Sequence, residues 1–364
     1  MSYTNGLDKP TDYFNTKLYT GTGATRSITG IGFQPDWIWT KGRSGTYSSE
    51  SHKLYDSVRG ATKELRSDVN NAESTNSGGV TSFDSDGYGL GVGGGVNGSS
   101  TEYVSWNWLA GTSVSGNTGG SGTAKTYTGS VNTDAGFSII RYIGNGTAGH
   151  TIPHHLGTTP AWVIARTISA AKEWDVYHHK NTSSPETDYL VLNTTAATTD
   201  ASDKWNDTAP TSSVVTLGES SQLNTNDGTC IMYAFAEKKG YSKFGSYTGN
   251  NSSDGTFVYL GFKPAWIMVK RTGTEDTSSN MNGSHWVMLD NKRDPSNDAG
   301  TGNVLTANRS NAEDTTNLTD VEFLSNGFKF RGGADAVNAS DTYIFMAFAE
   351  NPFVTSTGIP CTAR

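Results

Sequence analysis

The chain has 364 residues, 43 of them Gly, with 11% aromatic residues, only 17% charged residues and a formal net charge of −8. The negative balance and the lack of any Lys or Arg block exclude a nucleic-acid footprint. No apolar run approaches the ~20 residues of a membrane-spanning helix. Because Gly, Ser, Thr and Asn supply turns while Tyr, Trp, Val and Ile suit pleated surfaces, the composition predicts an all-β protein.

The start of the chain and its cysteines carry little further information. Residues 1–10 have neither a basic start nor an apolar core, so no secretory signal is predicted. Two cysteines, Cys230 and Cys361, are too few for a disulfide framework. We expect a protein that is made in a cytoplasm, without membrane insertion.

Three segments of the chain repeat one order: Tyr-x-Gly, then Gly, then Pro-x-Trp, then Lys or Arg. They run through residues 19–41, 142–166 and 247–270. A period of about one hundred residues is too long for a solenoid repeat and suits a whole domain. The sequence therefore predicts three copies of one module.

Each copy continues past its tryptophan with a strand pattern, a polar segment, a turn and a closing apolar strand. Short apolar runs of this kind, bounded by Gly, Pro and Asn clusters, are typical of buried strands joined by hairpins. We therefore expect an all-β fold of three tandem β-sandwich modules, jelly-roll or lectin-like. Their predicted bounds are residues 1–110, 125–240 and 241–364.

The segment between the first two modules has a composition of its own. Residues 111–124 are rich in Gly, Ser and Thr, which is typical of a flexible linker. Only a few residues join the second and third modules. We expect the first module to be flexibly attached and the other two to be tightly coupled.

The repeated Trp after Gly-x-x-Pro has two interpretations. Its ring could stack on a sugar, or it could open a buried strand whose entry the Pro fixes. Trp37 and Trp266 are each followed by further apolar residues. Because Trp is on average highly buried, a role in the core is favoured.

Two patterns are candidates for metal binding. Residues 84–87 read Asp-Ser-Asp-Gly, like the start of a calcium loop, but the third copy has Ser-Asn-Gly at residues 325–327, which favours a turn. Two His-His pairs stand at residues 154–155 and 178–179, but neighbouring residues on a strand point to opposite faces. We predict neither a metal site nor a cofactor.

Paired carboxylates are the remaining enzymatic candidate. Asp56 with Glu73, and Asp290 with Glu313, occupy equivalent places in the first and third copies, where the second copy has His178 and a Thr-rich segment. Glycoside hydrolysis needs two carboxyl groups across a cleft, so a site common to all copies is excluded. The nucleophile elbow, the zinc-protease motif and the phosphate loop do not occur. We predict a protein without enzymatic activity.

Several phrases of the chain resemble the repeated modules of virion structural proteins of tailed phages, most familiar from marine and cyanobacterial phages and usually described as tail-fibre proteins. They include DYFNTKLYTGTG, GFQPDWIWTKGR, GFKPAWIMVKR and YIFMAFAENPFV. The resemblance covers residues 12–354. It implies a multimeric virion component that is exposed to the outside, and it implies no catalytic residue.

These observations predict a tail appendage or tail-fibre component of a virion that contacts a host-surface glycan. Two alternatives stay open: a capsid decoration or neck and tail assembly protein that binds only other virion proteins, and a polysaccharide-degrading tail enzyme. The expected partners are other virion proteins, further copies of the chain with a trimer favoured, and a host glycan.

Ligand binding is assigned to residues in segments that differ between the copies. The candidates are Tyr47, Trp174, His178, Trp205 and Asn282. The same residues are also candidates for contacts between modules.

Overall fold

The computed structural model describes residues 4, 6–278, 283–295, 297, 302–315, 320–332 and 334–361. These residues form short strands, three single-turn helices and a 3₁₀ turn at Pro10–Asp12. The predicted all-β fold class is confirmed. No helix in the described part of the chain is both long and apolar enough to cross a membrane.

The first part of the chain folds into two facing sheets, which we name unit 1. Its strands are β1 (Phe14–Thr20), β2 (Arg26–Thr29), β3 (Trp37–Ser44), β4 (Lys53–Asp56), β5 (Lys63–Glu64), β6 (Ser74–Thr75), β7 (Val80–Asp84), β8 (Gly87–Leu90) and β9 (Glu102–Trp108). The larger sheet has the order β1-β9-β3-β4, the smaller sheet has the order β2-β8-β7, and β5 pairs with β6. The helix α1 (Gly94–Asn97) precedes the closing strand.

Unit 2 repeats this order and adds strands at both edges. Its strands are β10 (Thr112–Asn117), β11 (Gly119–Gly120), β12 (Thr126–Asn132), β13 (Phe137–Ile143), β14 (His150–Pro153), β15 (Trp162–Thr167), β16 (Asp175–His178), β17 (Asp188–Val191), β18 (Thr199–Asp200), β19 (Val214–Leu217) and β20 (Thr229–Phe235). The larger sheet runs β10-β12-β13-β20-β15-β16-β17-β18 and the smaller one runs β11-β14-β19. A helical turn, α2 (Ser202–Trp205), precedes β19.

Unit 3 has the same two-sheet plan. Its strands are β21 (Ser242–Thr248), β22 (Phe257–Tyr259), β23 (Phe262–Arg271), β24 (Trp286–Asp290), β25 (Leu305–Thr306), β26 (Val321–Leu324), β27 (Gly327–Phe330) and β28 (Thr342–Pro352). The larger sheet has the order β21-β28-β23-β24-β25 and the smaller one has the order β22-β27-β26. The helix α3 (Asp335–Asn338) precedes β28.

The segment predicted to be a flexible linker is instead part of unit 2. β10 pairs antiparallel with β12 along six residues, and β11 pairs with β14. Most residues of β10 are exposed. An exposed edge strand and a linker are both polar and rich in small residues, so composition alone did not separate them.

Side chains of each larger sheet alternate between two cores. On β3, Ile38 faces the smaller sheet of unit 1, whereas Trp37 and Trp39 on either side belong to a second core. This period of two is the ordinary geometry of a strand with both faces buried. Each unit is thus a sandwich-like pair of layers, and the outer face of its larger sheet is buried again.

The second core lies between the three larger sheets and is shared by all units. It contains eight of the nine tryptophans: Trp37, Trp39, Trp106, Trp108, Trp162, Trp174, Trp266 and Trp286. The favoured interpretation of the repeated Trp as a core residue is confirmed, since Trp37, Trp162 and Trp266 are at most 1% exposed.

An aromatic contact within this core joins each pair of units. Trp37 stacks on Tyr233 at 4.5 Å between centroids, which joins units 1 and 2. Phe235 meets Phe348 at 5.9 Å between units 2 and 3, and Trp108 meets Trp266 at 5.8 Å between units 3 and 1. The expectation that the first module is flexibly attached is therefore wrong. The division into tandem modules stays a prediction, because the units share one core.

The same main-chain hydrogen bond occurs at every boundary between units. An N–H in the segment after β5, β17 or β25 donates to a carbonyl at the end of the Trp-bearing strand of the next unit. The bonds run from Glu73 to Ile168, from Thr198 to Thr272 and from Glu313 to Arg43, with N···O distances of 2.9, 3.0 and 3.0 Å. A head-to-tail contact that repeats and closes after three steps relates the units by an approximate threefold rotation.

Two buried polar residues recur in each unit for structural reasons. The repeated Tyr donates its hydroxyl to the carbonyl just before a buried Asn, in the pairs Tyr19–Val96, Tyr142–Leu223 and Tyr247–Val337. The Asn that follows donates to two loop carbonyls, as Asn97, Asn224 and Asn338 all do. These bonds tie the loop ahead of the closing strand to the first turn of the unit.

Candidate functional site at the unit boundaries

One of the five predicted binding residues is exposed. Tyr47 is 38% exposed, and its ring lies against Gly94 and Gly98, where a Cβ would overlap it. It therefore covers the helical turn of unit 1. Asn282 lies outside the described residues.

Three predicted binding residues, Trp174, His178 and Trp205, are buried, which corrects their assignment to ligand binding. The Trp174 indole donates to the Arg66 carbonyl of unit 1 at 2.7 Å. His178 Nε2 donates to the Phe345 carbonyl of unit 3 at 3.3 Å. Trp205 packs in the core between the two layers of unit 2. Trp174 and His178 are thus contacts between units, the alternative left open by the sequence.

The first pair of candidate catalytic carboxylates forms a buried joint between units 1 and 2. The Arg59 guanidinium pairs with Asp56 and lies 3.2 Å from Glu73. Tyr233 of unit 2 donates its hydroxyl to Asp56 at 2.6 Å. Burial by itself lowers the pKa of Arg59, but the neighbouring Asp56 carboxylate more than offsets it and the pKa is raised. We name Asp56, Arg59 and Glu73 charged joint 1/2.

The second pair forms the equivalent joint between units 3 and 1. Arg293 pairs with Asp290 and, at 2.9 Å, with Glu313. The Trp106 indole of unit 1 donates to Asp290 at 3.0 Å. Arg43 of unit 1 adds an ion pair to Glu313 at 2.7 Å. We name Asp290, Arg293 and Glu313 charged joint 3/1.

The boundary between units 2 and 3 carries no charge at the equivalent positions, and we name it neutral joint 2/3. His178 stands in place of the Asp, Asn181 in place of the Arg and Thr198 in place of the Glu. The Thr198 hydroxyl donates to the Asn181 amide oxygen at 2.7 Å. Burial lowers the pKa of His178 well below its ordinary value. Met346, which cannot donate a hydrogen bond, occupies the place of Tyr233 and Trp106.

The other sequence candidates for metal binding have separate structural roles. The Asp86 carboxylate accepts the main-chain N–H groups of Gly30 and Gly32 at 3.0 and 2.7 Å, so it fixes a turn. His154 and His155 are held by separate hydrogen bonds. Across the described ranges, no group of three or more His, Cys, Asp or Glu side chains is placed to hold a metal ion.

A groove opens beside each joint. Groove 1/2 has a volume of about 540 Å³, groove 2/3 about 480 Å³ and groove 3/1 about 190 Å³. One wall of each groove is formed by the two residues that follow the first residue of the joint, which is Asp56, His178 or Asp290. These pairs are Ser57 and Val58, His179 and Lys180, and Asn291 and Lys292. The other wall is an edge strand, β21 in groove 2/3 and β1 in groove 3/1. In groove 1/2 the added strands β10 and β12 take that place.

Side chains from unit 2 cap the edge strand in groove 2/3. His179 Nε2 donates to the Phe244 carbonyl at 2.8 Å, and the Phe244 N–H donates to Glu237 at 3.4 Å. Capping of this kind satisfies main-chain groups that would otherwise pair with a further strand. The groove between these caps and the smaller sheet stays open.

Two exposed aromatic rings form the outer wall of groove 2/3. Phe257 and Tyr259 are 43% and 51% exposed, whereas Val258 between them is buried. Alternate residues of a strand share one face, so both rings lie on the same face of β22, on Cα atoms about 6.8 Å apart. The Lys243 ammonium lies 5.3 Å from the centroid of the Tyr259 ring. Sequence reasoning passed over these residues, because an aromatic-Val-aromatic run indicates a strand without indicating which face is exposed.

The pairing register shows that this pair of rings is particular to unit 3. Tyr259 pairs with Gly327 as Thr29 pairs with Gly87 in unit 1. Ser27 and Thr29 therefore stand in unit 1 where Phe257 and Tyr259 stand in unit 3. A comparison of the copies at this strand was the signal that could have located the groove.

The architecture defines an all-β protein in which three two-layered units surround one aromatic core. Within that class, the chain belongs to the family described as Domain of unknown function (DUF7483), whose model matches residues 9–352. No curated protein and no solved structure matches the chain.

Proposed function

We propose that the protein is a non-enzymatic structural component of a phage particle, a tail appendage or fibre component that contacts a glycan on the host surface. The resemblance of its repeats to virion modules motivates the first half of this proposal. Groove 2/3, with the exposed rings of Phe257 and Tyr259, is the observation that carries the second half.

The composition of the groove suits a sugar. Its volume of about 480 Å³ lies in the range of small-ligand sites. Aromatic rings offer an apolar surface for the C–H face of a pyranose, and Lys180, Glu237 and Ser246 offer polar groups for hydroxyls. All nine tryptophans are buried, so sugar stacking on a tryptophan is not available to this protein.

The contacts between units 2 and 3 fix the two walls of groove 2/3 relative to each other, which supports a preformed binding site. The groove draws one wall from unit 2 and the other from unit 3. The shared core and two hydrogen bonds across the boundary, from His178 to the Phe345 carbonyl and from the Thr198 N–H to the Thr272 carbonyl, hold these walls together. A site whose walls are fixed before binding loses less conformational entropy when it binds.

The buried positions of the candidate catalytic carboxylates support a function without catalysis. Asp56 and Asp290 are buried and paired with arginines inside the joints. A glycosidase needs its two carboxyl groups in a cleft that the substrate can enter.

Labelling of intact particles tests the proposal. Antibody raised against the purified chain should decorate the tail or its appendages, and it should block adsorption to host cells. Label spread over the capsid, with adsorption unchanged, would overturn the host-contact function.

A second candidate is a decoration or assembly protein that binds only other virion proteins. The edge strand β1 favours it, because the equivalent strand β13 is covered by β12 in unit 2 and β21 is capped by His179 and Glu237 in unit 3. An uncovered edge can accept a strand from a partner. The copy number per particle separates the two candidates: a decoration protein occurs on the order of hundreds of times, whereas an appendage follows the low-order symmetry of a tail.

A further inference from the structure

We infer that groove 2/3 selects an anionic glycan, one whose sugars carry carboxylate, sulfate or phosphate groups. The glycan part of this inference rests on the proposed function. The anionic part rests on the charges of the groove and on its difference from the other two grooves.

Cations outnumber carboxylates in groove 2/3. Lys180 and Lys243 line it together with one carboxylate, that of Glu237. Within the described part of the chain, neither lysine forms an ion pair, and Glu237 accepts the Phe244 N–H. The chain as a whole has a formal charge of −8, so an excess of positive charge in one cleft runs against its background and favours an anionic ligand.

The position of Lys243 links charge to stacking. Its ammonium donates to the Tyr259 carbonyl at 2.9 Å and lies 5.3 Å from the ring centroid of the same residue. An ammonium has three N–H donors, so further donors remain for a ligand. A sugar stacked beside this ring would bring an acidic substituent within reach of the ammonium, and a charge-assisted hydrogen bond is stronger than a neutral one.

The other two grooves lack this combination. Groove 1/2 is lined mostly by Ser, Thr and Gly residues, and Asp36 is the charged group of its lining. Groove 3/1 contains Lys292 but is less than half as large, and its carboxylate Glu350 is paired with Lys263 at 2.8 Å. These grooves serve as internal controls within the same molecule.

Binding of defined oligosaccharides to the full chain tests the inference. The probes are oligomers of galacturonate and of sulfated galactose, each beside an uncharged counterpart, the methyl ester or the desulfated form. We expect at least one charged probe to bind about tenfold more tightly than its counterpart by calorimetry at low ionic strength, a difference of about 1.4 kcal/mol. The advantage should shrink as salt is added.

Matched variants place the effect in the groove. Lys180→Gln and Lys243→Gln should each weaken binding of the charged probe severalfold, while Lys292→Gln, at the equivalent position of groove 3/1, should leave it unchanged. Tyr259→Ala should weaken charged and uncharged probes alike. Unchanged melting temperatures would show that these variants fold.

The outcomes separate this inference from the proposed function. Equal binding of charged and uncharged probes, no binding of any probe, or equal loss with Lys292→Gln overturns the anionic selectivity, whatever the adsorption experiment shows. Selective binding that the Lys180 and Lys243 variants weaken and the Lys292 variant does not sustains it, even on a protein whose antibody leaves adsorption unchanged.

Discussion

The two charged joints and the neutral joint hold the same geometry with different chemistry. In joints 1/2 and 3/1, a buried Arg pairs with an Asp and a Glu. In joint 2/3, a His, an Asn and a Thr take their places, yet the adjoining main-chain hydrogen bond is kept at 3.0 Å. The comparison teaches that a boundary can keep its main-chain hydrogen bond without charged side chains beside it.

The side chain that faces each joint from the neighbouring unit also differs between the charged joints and the neutral joint. Tyr233 and Trp106 donate to the Asp of a charged joint, at 2.6 and 3.0 Å. Opposite His178, the side chain is Met346, and the imidazole donates to the Phe345 carbonyl instead. The neutral joint thus has a hydrogen-bond donor, His178, where the charged joints have the Asp acceptor. It has the apolar Met346 where the charged joints have a donor.

The largest expected effect comes from removing the arginine of a charged joint. Arg59→Met or Arg293→Met removes the ion pair of the buried Asp56 or Asp290 carboxylate, and we expect a loss of about 3–5 kcal/mol in the free energy of unfolding. The matched change Asn181→Leu in the neutral joint should cost only about 1–3 kcal/mol, because it leaves one hydroxyl without its acceptor. Urea unfolding measures all three, and equal losses would mean that charge makes no difference between the joints.

A smaller effect is expected across the boundary. Tyr233→Phe removes the hydroxyl that donates to Asp56 and should cost about 1–3 kcal/mol. At the equivalent position of the neutral joint, Met346→Leu conserves volume, removes no hydrogen bond and should cost less than about 1.5 kcal/mol. The midpoint of urea unfolding is again the readout. A Met346→Leu loss as large as that of Tyr233→Phe would contradict the proposed exchange of donor and acceptor.

The neutral joint should make stability depend on mild acid. Burial lowers the pKa of His178 well below the ordinary value of 6.5, so between these two values the unfolded chain binds a proton that the folded chain refuses. The contribution of His178 is therefore fully present above pH 6.5, and it falls by about 1.4 kcal/mol per pH unit as the pH drops below that value.

A variant isolates this term. Asp175, whose burial raises the pKa to about 7, makes the folded state more stable as the pH falls towards its ordinary pKa, which opposes the histidine. His178→Asn should therefore be compared with the wild type from pH 7.5 to 5 in thermal unfolding. We expect a shallower loss of stability on acidification in the variant, and parallel curves would exclude His178 as a source of acid sensitivity.

The smallest effect on stability is expected in the groove. Phe257→Ser and Tyr259→Ala introduce the polar or small character that unit 1 has at the equivalent positions. Because both rings are largely exposed, the free energy of unfolding should stay within about 0.5 kcal/mol of the wild type. A greater loss, seen in urea unfolding, would assign the rings to packing and remove them from the ligand site.

The sequence predicted the elements of the fold better than their assembly. Composition and periodicity indicate strands, and the repeated order around Trp37, Trp162 and Trp266 marks three equivalent places. Closure depends on contacts such as that between Arg43 and Glu313, which are 270 residues apart and leave no periodic signal. The same limit explains why the sequence left Trp174 and His178 open as candidates both for ligand binding and for contacts between modules.

The candidate site was harder to predict, because it depends on which face of a strand is covered. Phe257 and Tyr259 alternate with the buried Val258 and lie on the exposed face of β22, which is an edge strand of its sheet. In unit 2 the equivalent strand β14 is covered by β11, which came from a segment whose composition is typical of a linker. Pairing between distant strands decides such cover, and local patterns do not report it.

The closure of three joints within one chain has a consequence for how the boundaries can change. Linkage makes the association of the units intramolecular, so each boundary acts at a high effective concentration and need not hold the assembly alone. In a ring of three identical chains, a change at the position of His178 would fall on every boundary at once. Here it falls on one, and a single boundary is free to exchange its charges for neutral groups while the other two keep the ring closed.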